Sequence, residues 1–189
     1  YTDGVDGLLS TLFINIFSTF AMICFAFGKI NIINDVIYII LPVFVFFLFN
    51  ISFLKLPKIF LGDSGSTSLG FITGFAMIFL YLELSIEPSI LIWPVALIIY
   101  DFLSTNIIRI IKNRRIFQSG NDHLHHQLSK KYKLKIFQII LIINLINCLL
   151  TFFGFATHHI FGSFFSLMGF AIMFFIFLFI KNNLLNSDR

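Results

Sequence analysis

Six long apolar stretches alternate with short polar ones along the chain, at 8–27, 36–54, 68–82, 89–108, 136–155 and 160–180. A hydrocarbon core about 30 Å thick takes about 20 residues of α-helix to cross. The third stretch is short for that and reaches full length if its helix starts near Asp63. Pro42 and Pro94 fall inside predicted spans and are expected to kink them, which membrane helices tolerate. The pattern contains no soluble domain, low-complexity linker or internal repeat. It predicts an all-α polytopic membrane bundle of about six helices, with 1–189 forming one transmembrane domain.

Composition makes the bilayer the natural solvent. Hydrophobic residues make up 58% of the chain and charged ones 12%, with mean hydropathy +0.96. Soluble domains carry about 25% charge, so this chain has too little to cover a water-facing surface. Its 28 phenylalanines suit lipid-facing helices. The net charge of +4 therefore bears on orientation and not on nucleic acid. Six spans put the N-terminus, 55–67, 109–135 and the C-terminus on one side. Of the 13 Lys and Arg residues, Lys29 alone lies on the other side, and the remaining twelve mark theirs as cytoplasmic. Cys24 and Cys148 sit in apolar runs and read as small buried hydrophobes. The chain opens on Tyr1 with no signal peptide before its first apolar run, and it is expected to be the C-terminal part of a longer protein.

The same alternation collects three polar clusters on the cytoplasmic face. The first is Asp3-Gly4-Val5-Asp6-Gly7. Two carboxylates three residues apart share a face if the helix has begun and suit Mg²⁺ or Mn²⁺; equally, they can cap the helix that follows. The second is Leu61-Gly62-Asp63-Ser64-Gly65-Ser66. Its glycines and the helix start behind them favour an anion, and a divalent cation would reconcile Asp63 with a phosphate; a helix cap is again the simpler alternative. The third, Asp122-His123-Leu124-His125-His126, lies in a basic loop. Its imidazoles could bind a metal, meet phosphates together with Arg114 and Arg115, or lie against anionic lipid. Asp101, inside the fourth span, is either a metal ligand or the ion-pair partner of Arg109.

Taken together, these segments resemble the polyprenyl-phosphate N-acetylhexosamine-1-phosphate transferase superfamily, glycosyltransferase family 4. Residues 1–8 resemble the second half of its Asn-x-x-Asn-x-x-Asp-Gly-x-Asp-Gly-Leu motif. Residues 59–66 resemble its Phe-Met/Leu-Gly-Asp-x-Gly-Ser motif, and 122–128 its His-x-His-His signature, where MraY-type members carry three successive histidines. Asp101 matches a polar helix position. The Asn-x-x-Asn half and an acidic pair on an earlier loop are absent from this chain.

The resemblance implies a multi-pass cell-membrane enzyme with a cytoplasmic site. It would move a HexNAc 1-phosphate from a UDP-sugar to polyprenyl (undecaprenyl) phosphate, release UMP and initiate cell-envelope polysaccharide synthesis with Mg²⁺ or Mn²⁺. By the same resemblance Asp63 is the metal ligand, with Asp3 and Asp6 as further catalytic carboxylates. Phe60 would stack on uracil, Gly4 and Asn50 would lie on the nucleotide side, and His123, His125 and His126 would bind the donor phosphates. A homodimer stays open. The alternatives are a phospho-muramoyl-pentapeptide transferase and, outside the enzymes, a transporter. A transporter would place its ionisable groups near mid-membrane, whereas here they gather at one end of the spans.

Overall fold

The computed structural model describes residues 6–115 and 122–186. Asp3 and Gly4 lie outside the described residues, so their expected roles have no structural counterpart here. The elements are all helical: α1 (Leu8–Ala26), α2 (Ile30–Asn50), a 3₁₀ turn (Phe53–Lys55), α3 (Gly62–Leu84), α4 (Pro88–Leu91), a 3₁₀ turn (Trp93–Val95), α5 (Ala96–Ile111), α6 (Leu124–Tyr132), α7 (Ile136–Phe161) and α8 (Ser163–Asn186). Among the described residues six helical segments are long and apolar enough to cross a membrane, with α4, the second turn and α5 together making the fourth, Pro88–Ile111.

Two boundaries differ most from expectation. α2 begins at Ile30 and not at 36, because Asn31, Asn34 and Asp35 occupy its first turns where polar groups still reach water. The expected loop at 156–159 is helix. α7 runs through His158 and His159 and turns at Gly162, whose φ of 84° and ψ of 179° suit glycine alone. Pro42 leaves α2 continuous, whereas Pro94 lies in the 3₁₀ turn that separates α4 from α5, where its missing N–H costs no α-helical bond. α3 starts at Gly62, as its glycine-rich entry suggests.

The chain divides into two compact units at the Pro94–Val95 step. In the first, α1 packs along α2 and touches α3. One face of α1 is fully buried through Leu12, Phe13, Ile16, Phe17 and Phe20, with the Phe13 and Phe17 rings stacked 4.3 Å apart. α3 exposes Phe71, Phe75 and Phe79 as a stripe at four-residue spacing along one face. In the second unit α5, α7 and α8 pack together and α6 lies on α7 and α8. Tyr100 of α5 is buried against Phe170, Phe174 and Phe177 of α8. Its hydroxyl donates to the Phe170 carbonyl at 2.7 Å, which satisfies the one polar atom that this apolar contact buries.

Candidate active site

In the first unit Asn50 joins the first two polar clusters. It is the last residue of α2 and is buried. Its Oδ1 accepts from the Gly7 backbone N–H at 2.5 Å, and its Nδ2 donates to the Ile59 carbonyl at 2.9 Å. Gly7 takes a left-handed φ of 80° as α1 begins. Beside this junction Lys58 forms an ion pair with Asp6 at 2.5 Å and lies 5.0 Å from the centre of the Phe60 ring. α1 has no side-chain cap, so Asp6 faces Lys58 and does not cap the helix. The Asn50 amide thus ties the backbone of the first cluster to the segment leading into the second. Phe60 projects its ring outward, 74% exposed.

Asp63 lies in the first turn of α3 behind Gly62, whose φ is 68°. Its carboxylate is exposed and unpaired among the described residues. The hydroxyls of Ser66 and Thr67 bond back to helix carbonyls, including that of Asp63. No side chain caps α3, so its first N–H groups and the helix dipole face outward, a setting that favours an anion.

Among the described residues no three His, Cys, Asp or Glu side chains group closely enough to form an all-protein metal site. That donor set still fits Mg²⁺, which is held by one or two carboxylates together with substrate phosphates. An exposed hard carboxylate with no other partner is the group such an ion would use.

The second unit carries the histidines. His123, the residue before α6, is buried with Nδ1 2.8 Å from Asp101 Oδ2. Asp101 also accepts from the Leu124 N–H and from Lys181. Of the two readings of Asp101, the ion pair with Arg109 is not formed. Eight residues along one helix separate the two by about 12 Å, and Arg109 instead bonds Asp122 at 3.0 Å, joined by Arg114 at 3.6 Å. His125 is buried with no hydrogen-bond partner at Nε2. Burial, and next the neighbouring His126, push its pKa down to about 4, so it is a neutral imidazole at pH 7. His126 is half-buried and shifts the same way, through burial first and His123 second.

The family model for glycosyl transferase family 4 matches residues 1–81, the segment that Asn50 ties together. Over those residues the chain is similar to that family. Among its relatives is the undecaprenyl-phosphate alpha-N-acetylglucosaminyl 1-phosphate transferase of Escherichia coli (strain K12), 27% identical over 135 residues, which are 68% of this chain and 36% of that protein. The phospho-N-acetylmuramoyl-pentapeptide-transferases of Clostridium novyi (strain NT) and Clostridium kluyveri are each 30% identical, over 80% of this chain and 45% and 46% of theirs. The chain thus spans between a third and a half of the length of these relatives. No solved structure matches it.

Sequence reasoning gave Lys58 and Lys181 no place in the site and named Asp122 without its partner Arg109. Lys181 carried one signal, a lysine that closes a long apolar run and precedes the end of the helix. Lys58 carried none, because its partner is 52 residues away, and the pairing of Asp122 with Arg109 spans 13 residues that no motif links.

Proposed function

We propose that this protein transfers a HexNAc 1-phosphate from a UDP-sugar to a polyprenyl phosphate such as undecaprenyl phosphate, releasing UMP, at the cytoplasmic face of the cell membrane. The observation that carries this reading is the junction at Asn50, which links the entry to α1 with the segment leading to Asp63. It supports one acidic, phosphate-handling site built from two distant stretches of sequence. The Escherichia coli relative, named for this kind of transfer, supports the reaction class.

A lipid phosphate oxygen attacks the sugar-bearing phosphorus of the donor, forming a new P–O bond. The bond from that phosphorus to the bridging oxygen breaks, and UMP leaves with the oxygen and the electron pair. A phosphate monoester has its second pKa near 6, so the nucleophile is largely dianionic at pH 7 and needs no strong base. The barrier is the approach of two anions. Bound Mg²⁺ or Mn²⁺ would supply charge neutralisation and hold the phosphate oxygens. Asp63 would hold that ion, while the exposed N–H groups at the start of α3 face the diphosphate. Lys58 keeps Asp6 oriented beside it, with Asp3 as the second carboxylate of that cluster. Phe60 offers a face for uracil, and in the second unit the imidazoles of the His123–His126 segment are N–H donors suited to phosphate.

The two clostridial relatives cover more of this chain at higher identity, which favours a second reading with a phospho-muramoyl-pentapeptide donor. One experiment addresses both. Membranes bearing the full-length protein are given polyprenyl phosphate and a panel of UDP-HexNAc donors that includes UDP-MurNAc-pentapeptide, and UMP release is followed with Mg²⁺ and with EDTA. Metal-dependent release with one donor supports transfer and names the sugar. No UMP from any donor with Mg²⁺ present overturns the reading.

A further inference from the structure

One buried ion network ties the last helix to the histidine segment. Lys181 of α8 is 1% exposed. Its Nζ lies 2.5 Å from Asp101 Oδ1, 2.6 Å from Thr105 Oγ1, 3.0 Å from Ser104 Oγ and 2.9 Å from the Asp101 carbonyl. The Ser104 and Thr105 hydroxyls donate to that same carbonyl, which leaves their lone pairs for the ammonium. The same Asp101 Oδ1 accepts the Leu124 N–H at 3.0 Å, and Oδ2 faces His123 Nδ1 at 2.8 Å. Arg109 and Asp122 pair alongside. The rings of His123 and His125 are 6.0 Å apart and nearly parallel, and His126 is 4.1 Å from His125.

A buried ion pair adds little to stability over a well-packed apolar one. An ionised carboxylate does what an apolar pair does not: it accepts two donors from the histidine segment at once. Because the ammonium already satisfies the carboxylate's charge, His123 meets it as an Nδ1–H donor and not as a lone pair. The Leu124 N–H, one of the free donors at the start of α6, is pinned by the same group.

We propose that Lys181 and Asp101 are positioning residues for the histidine segment. The ammonium holds the carboxylate, and the carboxylate holds His123 in its Nδ1–H tautomer and anchors the start of α6, so that His123, His125 and His126 are presented in one orientation. The assignment of Lys181 depends on no motif, and its functional consequence rests on the reading of this segment as the donor-phosphate contact.

The test uses the full-length protein in lipid nanodiscs. Lys181→Met leaves the carboxylate buried without its cation and should lower the unfolding temperature. The double variant Asp101→Asn/Lys181→Met removes both charges, and stability should recover. Asparagine has one acceptor oxygen for two donors, so one tie to the segment is still lost. The KM for the UDP-sugar should stay about 10-fold or more above wild type, with kcat changed less. Recovery of both stability and KM in the double variant would show a merely structural pair and overturn the proposal. Histidine ¹⁵N NMR, with the His123 signal assigned by its loss in His123→Gln, reads the tautomer without activity. An Nδ1–H His123 in wild type supports the proposal, and an Nε2–H His123 overturns it. If the wild type transfers no sugar, the proposed function fails while the tautomer result still decides this inference. The same spectrum decides it if the variants do not fold.

Discussion

At the scale of single residues, the site depends on what each polar side chain has left to offer. Asp63 is exposed and unpaired among the described residues, while the Asn50 amide bonds backbone through both its oxygen and its nitrogen. Asp63→Asn keeps the volume and removes the charge. Transfer in membranes should fall by about 100-fold or more with the circular dichroism unchanged; activity near wild type would remove Asp63 from the mechanism. His125 sets a pH dependence. Its folded pKa of about 4 lies below the ordinary 6.5, so between these values the unfolded chain binds a proton that the folded chain does not. Its contribution to stability is therefore complete above about pH 6.5 and is lost as pH falls towards 4. Thermal unfolding of the protein in detergent should drop between pH 7 and pH 5, and less so in His125→Gln. An equal drop in that variant would assign the acid sensitivity to another group.

At the scale of elements, hydropathy located the spans, and the ends were set by groups that average badly over a window. The polar first turn of α2 reads as a loop and is helix, because an interfacial turn keeps its polar side chains wet while its backbone bonds internally. His158 and His159 also read as a loop, yet α7 carries them to Gly162. An added Cβ at Gly162 would meet nothing within 4 Å, so Gly162→Ala probes the backbone alone. A residue with φ near 84° and ψ near 180° costs about 1–3 kcal/mol unless it is glycine. The substitution should lower stability to denaturant by that amount without changing helix content. No measurable loss would mean that the turn between α7 and α8 relaxes into another conformation.

At the scale of the whole molecule, charge decides orientation. Twelve of the thirteen Lys and Arg residues fall on one side of the six spans, which predicts a cytoplasmic location for 55–61 and 112–135. Single cysteines placed at Lys55 and Lys133, in a background with Cys24 and Cys148 replaced by alanine, should resist a membrane-impermeant thiol reagent in intact cells and react after permeabilisation. A cysteine at Lys29 should react without it. The reverse pattern would invert the topology and move the proposed site to the outer face.

The sequence by itself determined the all-α polytopic class and the six spans of this chain, and it supplied the expectations for the residues that carry chemistry and the side of the membrane they occupy. These follow from hydropathy, charge and short motifs, which are properties of neighbouring residues. Tertiary structure alone decided which of those residues are free to act. Asp6 meets Lys58, Asn50 bridges Gly7 to Ile59, and Asp101 passes over Arg109 for Lys181, eighty positions away. Such choices depend on which helix faces which. A side chain's partner is set by packing in three dimensions, and the local pattern along the chain carries no trace of it.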